Sequence, residues 1–182
     1  MPYTGKPGPI SMGRTFKWKA NPDSSSPVEF DFDVAGTLAD GALWQGDKGD
    51  LRVPKKDPVS GDLLDQWAPK HWFRSYIDPS SAPAEFTVVS WYLGTSDSST
   101  AATRNDGALS GSNGTYAAGQ DPLLSSMIEL GSHIFDGVDT SAWHNLGIFE
   151  LPSPFVMPLI DNNIGQTIAD EGIELWVTEL FI

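Results

Sequence analysis

No lysine or arginine follows Arg104, no cysteine occurs anywhere, and no apolar run approaches the length of a membrane span. Each absence excludes something. Without cysteine there is no disulfide framework and no thiolate chemistry, and the compartment is left open. Without about 18 consecutive apolar residues there is no membrane-crossing helix. The opening residues, MPYTGKPGPISMGR, lack the apolar centre of a secretory leader, so no secretory signal is expected there. Heptad repeats are missing too, which excludes a coiled-coil stalk. The missing cations matter most. The residues after Arg104 include eleven carboxylates, from Asp106 to Glu179, with no fixed positive charge to balance them. Over the whole chain 11 Lys and Arg face 24 Asp and Glu, a net charge of -13. Such a surface repels phosphate, so nucleic acid is not an expected partner.

Positive charge is concentrated at the front, where Lys6, Arg14, Lys17 and Lys19 oppose Asp23 alone. Pro2, Pro7 and Pro9 alternate with Gly5, Gly8 and Gly13 there, which reads as an extended basic arm over residues 1–27. Within it Arg14–Lys19 (RTFKWK) has the alternation of a first strand. Aromatic residues interleaved with cations also have the composition of an interface anchor. Lys6, Arg14, Phe16, Lys17, Trp18 and Lys19 are therefore the expected docking residues. An acidic body attracts such an arm, including the arm of a neighbouring copy.

Residues 28–182 read as one all-β domain. Val28, Phe30, Phe32 and Val34 alternate with Glu29, Asp31 and Asp33, one face apolar and one acidic. Further strands are expected at Lys70–Ile77, Ala84–Leu93, Met127–Leu130, Trp143–Leu151 (bulged at Gly147), Phe155–Ile160 and Ile173–Ile182. Asp62–Trp67 (DLLDQW) suggests one or two helical turns, and Lys55–Lys56 a turn. Gly94–Gly119, rich in Ser, Thr, Gly and Asn, reads as a large loop. About eight short strands between Gly and Pro turns favour a jelly-roll-like antiparallel β-sandwich. Residues 36–83 are a candidate insertion or docking excursion within it.

The segment Phe149–Trp176 carries Leu151–Pro152, then Phe155–Val156, a turn with Asn162–Asn163 and Gly165–Gln166, and a closing Leu175–Val177. Upstream, Val88–Leu93 runs into a Gly94–Asp97 loop. These features resemble the C-terminal half of small jelly-roll structural proteins of tailed bacteriophages. The resemblance covers mainly residues 88–182, and its motifs are structural. It implies a virion component such as a capsid decoration, or cement, protein. That would be a homotrimer on the capsid surface, with the major capsid protein and copies of itself as partners.

Chemistry is sparse in the sequence. His71, His133 and His144 have no metal-ligand spacing, and no Gly-x-Ser-x-Gly elbow accompanies them. Asp136–Asp139 and Asp161–Asn163 could offer oxygens to calcium, but neither forms a complete loop motif and both read as turns. The acidic face of Glu29, Asp31 and Asp33 reads as solvated rather than as a glycosidase pair. The expectation is a non-enzymatic protein without cofactor or metal. The competing reading is a glycan- or receptor-binding module of a virion fibre or tail, with Trp67 and Trp72 as candidate stacking platforms.

Overall fold

The computed structural model describes residues 11–23, 28–56, 63–100, 105–116, 124–138 and 141–181. Two sheets face each other across the main core. The first has the order β12(Ala142–Glu150), β8(Lys70–Pro79), β14(Ile168–Phe181), β1(Ser11–Lys19) and β2(Val28–Asp31), with β3(Thr37–Leu38) at the end of β14. The second runs β10(Gly114–Thr115), β4(Ala42–Gln45), β13(Phe155–Asn163), β9(Val88–Ser96) and β11(Ile128–Ile134), with β5(Gly49–Asp50) beside β13. A separate hairpin joins β6(Val53–Lys56) to β7(Leu63–Gln66).

Eight of these strands form four antiparallel pairs: β1 with β14, β4 with β13, β8 with β12, and β9 with β11. The outermost pair in sequence encloses the next, inward to the last. That nesting is a long hairpin rolled into two sheets, the jelly roll that the strand count suggested.

The core follows the period-2 alternation. Along β8, His71, Phe73, Ser75 and Ile77 point inward. Ile173, Leu175 and Val177 of β14 meet Val156 and Ile160 of β13 and Trp91 of β9 in one cluster. Phe32 packs on Trp91 in a tilted arrangement, ring centroids 5.6 Å apart. Asn162, an expected turn residue, ends up buried within β13. Its Nδ2 donates to the carbonyls of Leu38, Ala39 and Gln166 at 3.1, 3.0 and 3.0 Å, tying three segments together. Asn162→Leu strands those carbonyls and is expected to cost about 3 kcal/mol in urea unfolding.

Five expectations need correction. The described part of the expected 1–27 arm is not separate from the domain. Residues 11–19 form β1, hydrogen-bonded between β14 and β2, because alternate residues Phe16 and Trp18 bury completely. Residues 36–83 are no insertion as a whole, since they supply β4 and β8, one strand of each sheet; only the β6–β7 hairpin stands apart. Leu63–Gln66 is a strand, not helical turns, because it pairs with β6, and Lys55–Lys56 belongs to β6 rather than to a turn. Gly94–Gly119 is not structureless. It holds the end of β9, a 3-10 turn at Asp106–Ala108, and β10. Leu109 and Tyr116 from this stretch join Met127, Met157 and Leu159 in a second, smaller core on the outside of the second sheet.

Candidate functional site

That smaller core has a consequence for function. The outer face of the second sheet is covered by the chain's own loop, whereas among the described residues the outer face of the first leaves Trp143 and Ile148 exposed. Period-2 geometry sends Trp72, Arg74 and Tyr76 of β8 outward, opposite the buried His71, Phe73 and Ser75. The register sets Trp176 of β14 beside Arg74, and Glu174 beside Tyr76. On the other side Trp143 of β12 lies beside Tyr76, and Asn145 beside Arg74. Lys17 of β1 pairs with Trp176.

These neighbours form one aromatic and cationic cluster. The Arg74 guanidinium lies 4.5 Å from the Trp72 ring, 5.9 Å from Trp143 and 6.0 Å from Trp176. Trp143 packs on Tyr76 at 5.3 Å and on Trp176 at 5.9 Å. Lys17 Nζ sits 4.6 Å over Trp176 and 2.6 Å from Glu174 Oε1. Trp176 Nε1 donates to Glu174 Oε2 at 2.9 Å, so that carboxylate is satisfied from two sides. Trp72 Nε1 donates to Asn145 Oδ1 at 2.7 Å, and Gly147 N donates to the same oxygen at 3.2 Å. The bulge at Gly147, with φ +116°, thus aims Asn145 at the indole. Beside the cluster runs an open groove of about 490 Å³ lined by Met12, Trp72, Asn145, Gly147, Ile148 and Leu180. Trp143 and Ile148 are each 56 % exposed, which marks this face as unusually apolar for open surface.

A second feature lies at one end of the second sheet. Residues 84–87 make a tight turn, with Thr87 Oγ1 donating to the Ala84 carbonyl at 2.7 Å. The turn is laced to the end of β11 by Phe86 N to Phe135 O and Phe135 N to Thr87 O, at 2.9 and 3.0 Å. Phe86 is held at φ +66° and is 76 % exposed. Val138, also 76 % exposed, and Ile134, 60 % exposed, flank it. Asp136 Oδ1 accepts from Val138 N at 2.9 Å and orders that loop. The result is an apolar tip.

The expected docking residues are placed otherwise than the sequence suggests. Phe16 and Trp18 are 1 % and 0 % exposed and anchor the chain's own core, so neither is available to a partner. Lys17 is engaged by Glu174, and Lys19 Nζ lies 3.4 Å from Glu29 Oε2. Arg14 remains exposed, its backbone N–H donating to Glu179 Oε2 at 3.0 Å. Lys6 lies outside the described residues. Of the two stacking candidates, Trp72 is on the open face, while Trp67 packs on the core and stacks on His71 at 6.3 Å. Sequence reasoning missed Arg74, Tyr76, Trp143 and Trp176. The alternation in KHWFRSYI was a usable signal, since it sets Trp72, Arg74 and Tyr76 on one face.

The histidines lie elsewhere. His71 is fully buried, and burial pushes its imidazole down to about 4. His144 is pushed down to about 4 by burial and by His133, stacked on it at 3.2 Å. Asp161–Asn163, read as a turn, is part of β13. Among the described residues no three His, Asp or Glu side chains are grouped to hold a metal ion.

Compared with known proteins, the chain matches no family model, no curated protein and no solved structure.

Proposed function

We propose that this chain is a non-catalytic structural protein of a phage-like virion. In this reading it is a capsid decoration protein that binds the major capsid protein and copies of itself as a trimer. The observation that carries this is the apolar tip at Phe86. An aromatic residue in the left-handed region costs about 1–2 kcal/mol, and exposure returns nothing to the fold. A partner surface that receives the ring accounts for both features. Burying Phe86 with Ile134 and Val138 contributes about 25 cal/mol per Å² of apolar surface before ordering costs. Many copies on one shell convert weak single contacts into firm attachment. Eight-stranded jelly rolls serve in viral capsids and in lectins, which supports the reading by analogy.

The test is Phe86→Gly. Glycine relieves the backbone strain, so stability is expected to hold or rise by up to about 1 kcal/mol. Binding to heads stripped of the protein is expected to weaken by more than about tenfold. Undiminished binding overturns the docking role of the tip. Light scattering of the free protein measures the trimer.

The open face of the first sheet favours a second reading, a glycan- or receptor-binding module. Three indoles, a tyrosine and an arginine on one face of a sheet are the groups of a stacking site.

A further inference from the structure

We infer that the cluster around Arg74 is a binding site for a sugar acid, with the guanidinium taking the carboxylate and Trp143 and Trp72 taking the ring. The inference rests on the second reading above, that this face holds a ligand, and is independent of the Phe86 tip.

Arg74 is the unusual member of the cluster. Its Nε is buried without a hydrogen-bond partner, and among the described residues no carboxylate lies within ion-pair distance of it. In a chain of net charge -13 such an arginine is out of the ordinary. The three indoles hold the guanidinium plane by cation–π contact and satisfy none of its N–H groups. With Nε buried, the fork such a guanidinium offers is its two terminal amino groups, which a carboxylate matches with two parallel bonds.

The surroundings fit a sugar. Trp143 exposes over half its surface, an indole face on which the C–H face of a pyranose stacks. Beside it stand two groups that hydrogen-bond hydroxyls, Asn145 and the Tyr76 phenol. The groove past Trp72, about 490 Å³, is within the range of small-ligand sites and extends the platform by further rings. Charge complementarity is local. Glu174, an acid on the same face, is already paired with Lys17 and hydrogen-bonded by Trp176. The more distant carboxylates are screened beyond about 8 Å at physiological salt.

The experiment is calorimetric titration of the full chain with sialyllactose and with trigalacturonate, lactose serving as the neutral control. Both acids are expected to bind, with lactose weaker by about tenfold or more. Arg74→Gln is expected to erase that preference, and Arg74→Lys to restore it only in part, because charge returns without the fork. Trp143→Ala is expected to abolish binding of all three. Unfolding midpoints of the variants, matched to the parent, exclude a folding defect; Arg74→Lys covers the case in which Arg74→Gln does not fold. Equal affinity for lactose and the acids overturns the carboxylate anchor but leaves a neutral-glycan module standing. If no sugar binds, and Arg74→Gln instead dissociates a self-associated species, the face is a protein interface and both the inference and the second reading fail.

Discussion

Trp18→Ala lowers the stability of the sandwich by about 4 kcal/mol, and removal of residues 1–19 abolishes folding. Trp18 is completely buried, packs on Phe30 with ring centroids 4.7 Å apart, and donates from Nε1 to the Asp47 carbonyl at 2.8 Å. The surrounding chain is moulded to it. A Cβ at Gly49 would stand 2.3 Å from Trp18 Cζ2, so glycine there makes room for the indole. Alanine at position 18 leaves a void that two packed sheets cannot close, and the Asp47 carbonyl loses its donor. Truncation goes further, because β1 is an interior strand. Its loss exposes the backbone edge of β14 and disconnects β2. A domain of this size has roughly 5–15 kcal/mol in hand, which such a loss exceeds. Urea unfolding followed by circular dichroism checks both. A truncated chain that unfolds cooperatively at the parent midpoint would restore the detachable arm that the sequence suggested.

The second large effect is acid lability through His71. Its imidazole lies between Trp67 and Phe73, at 6.3 and 6.5 Å, and neither ring nitrogen has a hydrogen-bond partner. Burial disfavours the charged form and holds the folded-state pKa near 4, against an ordinary 6.5. Below pH 6.5 the unfolded chain therefore takes up a proton that the folded chain refuses until about pH 4. Unfolding is favoured progressively across that window, and the contribution is absent above it. Its full size is about 3 kcal/mol. Glu179, the register neighbour of His71 on β14, works in the opposite sense. Burial raises its pKa, so its folded form gains a proton early as pH falls, which offsets part of the loss. His71→Phe isolates the histidine. The variant is expected to match or exceed the parent at pH 7.5 and to retain about 3 kcal/mol more than it at pH 4. Urea midpoints at pH 7.5, 5.5 and 4 decide it; parallel pH curves for parent and variant would acquit His71. His144, similarly lowered, contributes to the parent and the variant alike.

Much of the architecture was legible in the chain itself. Alternation of apolar and polar residues is local, and it located most of the long strands and the bulge at Gly147. Turn chemistry separated them, and eight strands without a helical stripe left few alternatives to a rolled sandwich. The charge asymmetry was legible as well, because it is a property of composition. What the chain alone could not decide is which of two faces turns inward. In KHWFRSYI either set of alternate residues could form a core, since Trp72 and Tyr76 are as large and apolar as Phe73 and Ile77. Likewise Phe16 and Trp18 read equally well as anchors for a partner or for the chain itself. Those choices depend on pairings between residues more than a hundred positions apart, such as Trp18 with Leu175. They are made by whichever face finds a facing sheet. The same long-range register brings Trp72, Arg74, Trp143 and Trp176 together. Alternation within β8 joins Trp72 to Arg74, but no local pattern adds Trp143 and Trp176, because those are specified only by where their strands land.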